Sequence, residues 1–180
     1  MLHITIPAIE MWDEANEEFV KTKEQSLCLE HSLVSLSKWE SKWNKSFLHT
    51  KEFTGEQFID YVKCMTITQN VSEDTYLRLS NDNVDIIREY INAPMTATTF
   101  AKTPGGGRNN EIVTAELIYY WMITHNIPKE CEKWHLNRLM TLIQVCNVKS
   151  AKPKKMSRRQ LMNRNAQLNA ARREQFNTTG

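Results

Sequence analysis

The sequence predicts an α+β fold that is mainly α. It has a small N-terminal antiparallel β meander over residues 1–31, a helical core over 32–148, and a basic linker with a C-terminal helical arm over 149–180. Three observations carry this. Apolar residues near the N-terminus alternate at period two. From residue 32 onward they recur at steps of three and four, the period of a helix that buries one face. Charge then separates: residues 149–180 hold nine Lys and Arg against the single acid Glu174, while residues 1–148 hold fourteen bases against twenty acids, so a segment of +8 follows one of −6.

At the N-terminus Leu2, Ile4 and Ile6 alternate with His3 and Thr5, as in a half-buried strand. Residues 19–22 and 26–30 repeat the pattern, and the polar stretch 13–18 between them reads as a turn. Two or three strands of this length bury little by themselves and need a helical layer or a neighbouring subunit.

The first helix is predicted over 32–48, with Ser32 as cap and Leu33, Leu36, Trp39 or Glu40, and Trp43 along one face. Trp39 and Trp43 are four residues apart and share that face. They fit core aromatics, and also an interface anchor, because Trp concentrates at binding hot spots. Thr54 and Gln57 are spaced as a capping box at the head of a second helix with Phe58, Tyr61, Val62 and Met65 inward. A short helix from Ser72 or Asp74 runs through Leu79. Another runs from Asn81 or Asp82 through Ile91, with Val84, Ile87 and Ile91 inward, and ends before Pro94 because the residue preceding proline avoids the α region.

Residues 95–110 read as an irregular surface loop. Gly105, Gly106 and Gly107 do not make a phosphate loop: Arg108 and Asn109 stand where Lys and Ser or Thr are required. The most apolar region follows, as two helices broken at Ile127 and Pro128, and it reads as the core on which the rest packs. Ile112, Ala115, Tyr119 and Met122 line the first; Leu117, Ile118 and Trp121 widen its face. Trp134, Leu136, Leu139, Met140, Leu142, Ile143 and Cys146 line the second. Ser157 and Gln160 open a final helix to about Gln175 whose apolar side is thin: Leu161, Met162, Leu168 and three alanines.

Chemistry is sparse. Cys28, Cys64, Cys131 and Cys146 lie far apart without a C-x-x-C pair and read as reduced, mostly buried small hydrophobes. Cys131 and His135 share a helical spacing, but two ligand types do not make a zinc site. His125 and His135 read as hydrogen-bonded structural residues. No convergent acid, base and nucleophile pattern emerges, so an enzyme, a cofactor and a metal are not expected. No apolar run reaches the roughly 18–20 residues that span a bilayer, so no membrane partner is expected. No secretory signal opens the chain, which leads us to expect an intracellular site of synthesis.

Residues 29–43, 61–66, 94–98 and 133–139, the run Ile118-Tyr119-Tyr120-Trp121-Met122, and the tail motifs at 154–157, 164–166 and 170–173 form a set that covers nearly the whole chain. The set resembles the tail assembly chaperones of long-tailed bacteriophages, small proteins of the phage structural gene block. The resemblance implies a mainly helical, non-enzymatic protein in the host bacterial cytoplasm. Such a protein keeps the tape-measure protein soluble while tail-tube subunits polymerise around it. It brings no catalytic residues with it.

Partner binding is expected at Trp39 and Trp43 and along the arm at Arg158, Arg159, Leu161, Met162, Leu168, Arg172 and Arg173. The expected partner is a tape-measure or other tail protein, or a second copy of the chain. A structural virion component using Trp39, Trp43 and the N-terminal strands as contacts is the first rival reading. Nucleic-acid binding through the nine basic residues of the tail is the second, weakened because Phe176 is the one aromatic there available for base stacking.

Overall fold

The computed structural model describes residues 1–13, 18–100, 111–151 and 157–177. The chain divides into two compact units, Met1–Cys146 and Asn147–Gly180. It is α+β and mainly α, with β1 Leu2–Ile6, β2 Glu10–Asp13, β3 Glu18–Lys21, β4 Gln25–Leu29, α1 Leu33–Trp43, α2 Gly55–Met65, α3 Glu73–Leu77, α4 Asn81–Asn92, α5 Ala115–Thr124, α6 Leu136–Ser150 and α7 Arg158–Phe176.

The strands form two nested antiparallel ladders. β1 pairs with β4, Leu2 opposite Leu29 through Ile6 opposite Gln25. β2 pairs with β3, Glu10 opposite Lys21 through Asp13 opposite Glu18. The segment 10–13, which the alternating pattern did not single out within the predicted β region, is thus a strand. Of the expected turn at 13–18, Asp13 and Glu18 belong to strands, and residues 14–17 lie outside the described residues. Between the ladders the ribbon is clamped by Thr22, whose Oγ1 donates to the Ile9 carbonyl at 2.9 Å, and by Arg78, whose guanidinium donates to the Pro7 carbonyl at 3.0 Å and to Thr22 Oγ1 at 2.9 Å. Residues 66–68 continue along β4: the Ile67 N–H reaches the Cys28 carbonyl and the Glu30 N–H reaches Met65. Ile4, Ile6, Leu27 and Leu29 are the buried side of β1 and β4, which matches the period-two pattern of the sequence.

The hub is α1 and not the α5 and α6 pair. α1 packs against α2, α5 and the 3-10 turn Lys129–Lys133. It buries Leu33, Ser35, Leu36, Trp39 and Glu40. α5 is apolar all round, so its hydropathy overstates its burial: Ala115, Ile118 and Met122 are inside, whereas Tyr120 and Ile123 are exposed. One continuous core joins β1, β4, α1, α2, α4, α5 and α6.

Several boundaries moved for identifiable reasons. α1 stops five residues short of the predicted end because Asn44 takes the left-handed conformation, φ 52°, and its N–H returns to the Glu40 carbonyl. α3 ends at Leu77, two residues early. α4 ends on extended Ala93 before Pro94, as predicted. Within α4 Ile87 is buried, and Val84 and Ile91 are half-buried. α5 begins at Ala115, which leaves Ile112 outside the helix and 61% exposed, against the expectation that it lines the core. The two helices are separated by the 3-10 turn, so Trp134 precedes α6 and is half-buried. Of the cysteines, Cys131 is buried and the other three are half-buried, fewer inside than expected; all four are free thiols. Residues 95–100 carry no regular structure, and 101–110, with the three glycines, lie outside the described residues.

Candidate functional site

The predicted tryptophans separate. Trp39 is fully buried: its indole N–H donates to the Gln57 carbonyl at 2.9 Å, and its ring meets Phe47 and Phe53 edge-on at 5.3 and 5.5 Å. A side chain with no exposed area offers a partner nothing, so Trp39 is a core residue and not an anchor. Trp43 is half-buried, and its indole N–H donates to Asp60 Oδ2 at 3.1 Å. The same oxygen accepts Lys42 Nζ at 2.5 Å. This pairing holds the Lys42 ammonium above its usual pKa through the Asp60 hydrogen bond.

The remaining predicted residues, Arg158, Arg159, Leu161, Met162, Leu168, Arg172 and Arg173, all lie on α7 and all are exposed. Leu161 and Leu168 are seven apart and Phe176 follows eight later, so the three share one side of the helix. Asn165 and Arg172 interleave on that side, which keeps the stripe narrow. Leu161, Leu168 and Phe176 are 47%, 45% and 67% exposed, so the stripe is uncovered. The helix itself is built from good formers, Arg, Ala, Leu, Met and Gln, diluted by three asparagines. The Gln160 side chain, half of the predicted capping box, lies outside the described residues.

A second feature was not anticipated. A cavity of about 870 Å³ opens in the first unit between the 47–55 loop, α2, α4 and the start of α6. Phe47, Phe53, Phe58 and Tyr61 supply its aromatic walls; Val84 and Ile91 come from α4. Lys51 and Arg88 are its charged lining residues, and no acid is among the described ones. Arg88 holds its guanidinium 5.3 Å from the Phe58 ring centroid. At the base, His31 Nδ1 and the Tyr61 hydroxyl are 2.5 Å apart. Burial and, secondarily, the charge of His135 push His31 down to about 3, so it is neutral near pH 7; burial pushes the Tyr61 hydroxyl up.

Behind His31 stands a polar frame. His135 caps α6: its Nδ1 accepts the Asn137 N–H at 3.3 Å, so its Nε2 carries the proton donated to the Tyr90 carbonyl at 3.0 Å. Burial lowers its pKa against that hydrogen bond. The Tyr90 hydroxyl donates to Glu30 at 2.7 Å, and burial raises its pKa. Glu40 is buried, and its two oxygens accept the N–H groups of Phe47 at 2.8 Å and Ala115 at 2.7 Å. Of the partners held in this way, Phe47 and Asn137 line the cavity, whereas Ala115 begins α5, which contributes no lining residue.

These residues come from positions 31 to 137, and no local spacing links them. The one legible hint was the aromatic density at Phe47, Phe53, Phe58 and Tyr61. Among the described residues no group of three His, Cys, Asp or Glu is placed to hold a metal, and no helix is long and apolar enough to cross a membrane. No protein-family model, curated protein or solved structure matches this chain.

Proposed function

We propose that this chain works by binding another polypeptide, as a phage tail assembly chaperone-like protein that keeps the tape-measure protein soluble during tail morphogenesis. The observation that supports this reading is α7, a helix of 19 residues in which every side chain described is exposed. Most helical stability in proteins comes from packing an apolar face, so the stripe of Leu161, Leu168 and Phe176 gains stability when a partner covers it. Five arginines on the same helix favour an acidic partner and speed encounter with it. A tape-measure protein, long and helical with apolar seams before assembly, would cover such a stripe, and the sequence resemblance supplies the same client.

The test is co-expression of the full chain with the tape-measure protein of its own phage, followed by affinity purification. The double substitution Leu161→Asp, Leu168→Asp is expected to abolish recovery of the client while leaving thermal unfolding of the first unit unchanged. Undiminished recovery overturns the proposal. If the substitution changes the mass of the free protein instead, the stripe seats on a second copy and the client reading fails.

The five arginines against one acid on α7 also favour a second reading, binding of nucleic acid. A gel shift that weakens steeply between low and moderate salt and is lost on Arg158→Gln, Arg159→Gln supports that reading. No shift at either salt concentration removes it.

A further inference from the structure

We propose that the cavity beside His31 binds a small organic anion with an apolar body, of the class of aromatic or medium-chain carboxylates. This inference uses residues of the first unit alone and does not depend on what α7 binds.

Size is the first argument. Ligand sites run to roughly 300–1,000 Å³, and this cavity, at about 870 Å³, lies in that range. One anchoring side chain of a partner protein would leave most of it empty, so the volume favours a whole small molecule over a protein hot spot.

The walls are the second. Phe47, Phe53, Phe58 and Tyr61 line one space, with Phe47 stacked on Tyr61 at 4.0 Å and Phe47 tilted against Phe53 at 4.8 Å. Such rings are large apolar surfaces that gain by excluding water. Lys51 and Phe53, two residues apart on one short loop, both line the cavity, and Glu52 between them is not among the lining residues.

Charge is the third. Residues 1–148 carry −6, yet the charged side chains of this cavity are Lys51 and Arg88, with no acid among the described lining residues. A cavity placed without regard to charge in an acidic body would tend to collect carboxylates. Arg88 already lies against the apolar wall, over Phe58. Its ion pair with Asp85 is long, 3.7 Å, and both side chains are mostly exposed, so that pair holds it weakly. An incoming carboxylate replaces it with a shorter, two-pronged contact to the guanidinium. His31 and Tyr61 at the base supply a neutral polar floor, so selectivity for charge rests with Lys51 and Arg88.

The experiment uses the full chain and two probes, 8-anilinonaphthalene-1-sulfonate followed by fluorescence and decanoate followed by calorimetry. Both are expected to bind saturably at one site and to compete, with decanoate at least about fivefold tighter than decanol because the alcohol lacks the charge-assisted contacts. Lys51→Gln, Arg88→Gln changes two exposed positions, leaves the circular dichroism spectrum unaltered, and weakens both probes by about fivefold or more. Three results overturn the proposal: no saturable binding of either probe, equal affinity for decanoate and decanol, or unchanged affinity in the double variant. Saturation by an acidic amphipathic peptide, with neither small anion binding, also overturns it and makes the occupant a polypeptide.

Discussion

Removing the Glu40 carboxylate should destabilise the first unit more than removing any surface ion pair. Its oxygens accept the Phe47 N–H at 2.8 Å and the Ala115 N–H at 2.7 Å. The first fixes the start of the loop after α1, and the second satisfies the first N–H of α5. Both donors are buried, as is Glu40 itself at 8% exposure. A hydrogen bond to a charged group contributes about 1.5–3 kcal/mol, and a donor left buried without a partner costs about 1–3 kcal/mol. Glu40→Ala removes both acceptors and leaves both donors bare, so a loss of about 3–5 kcal/mol is expected. Glu40→Gln keeps one carbonyl oxygen, and its amide nitrogen cannot accept from the second N–H; about 2 kcal/mol is expected. The assay is equilibrium urea unfolding followed by circular dichroism, with the midpoint shift read at constant slope. If Glu40→Ala costs less than about 1 kcal/mol, the carboxylate is not the joint between α1 and α5 that this geometry implies. If Glu40→Gln costs as much as Glu40→Ala, the negative charge and not the two acceptors carries the effect, and the hydrogen-bond account fails.

Trp39→Ala is expected to cost about 3–5 kcal/mol, because a fully buried ring leaves a cavity, whereas the half-buried Trp43→Ala should cost clearly less; equal midpoints in urea would contradict the burial difference. His31 and His135 both have folded pKa values pushed below the ordinary 6.5, His31 to about 3. The unfolded chain therefore binds the extra protons first, and the stability these residues leave intact above pH 6.5 is lost as pH falls from there toward 3. Unfolding midpoints measured from pH 7.5 to 4.5 should fall less steeply in His31→Phe than in the parent, and parallel curves would show that His31 takes up its proton without cost. Arg78→Met should loosen the ribbon at Pro7 and Thr22 while sparing the helices, seen as faster amide exchange confined to residues 2–29; uniform exchange changes would refute this local role.

The sequence by itself determined the class of fold and most of its parts. Period-two alternation at Leu2, Ile4 and Ile6 can face only one way in a strand, and the Thr54 and Gln57 capping box and the Ala93-Pro94 stop act within a few residues, so these features were legible from neighbours alone. The charge division between the first 148 residues and the tail was equally plain, because it is a matter of composition. Tertiary structure decided what depends on residues far apart in the chain. Hydropathy pointed to 111–147 as the centre, but burial is set by what a helix packs against, and α1, with its polar Ser35 and Glu40 turned inward, occupies that place. Trp39 and Trp43 looked equivalent at helical spacing until Gln57, Phe47 and Phe53 closed over one of them. Beyond the aromatic density at Phe47, Phe53, Phe58 and Tyr61, the cavity could not be read, since His31, Phe47, Tyr61, Arg88 and Asn137 belong to segments that local propensity treats separately and only the packed chain brings together.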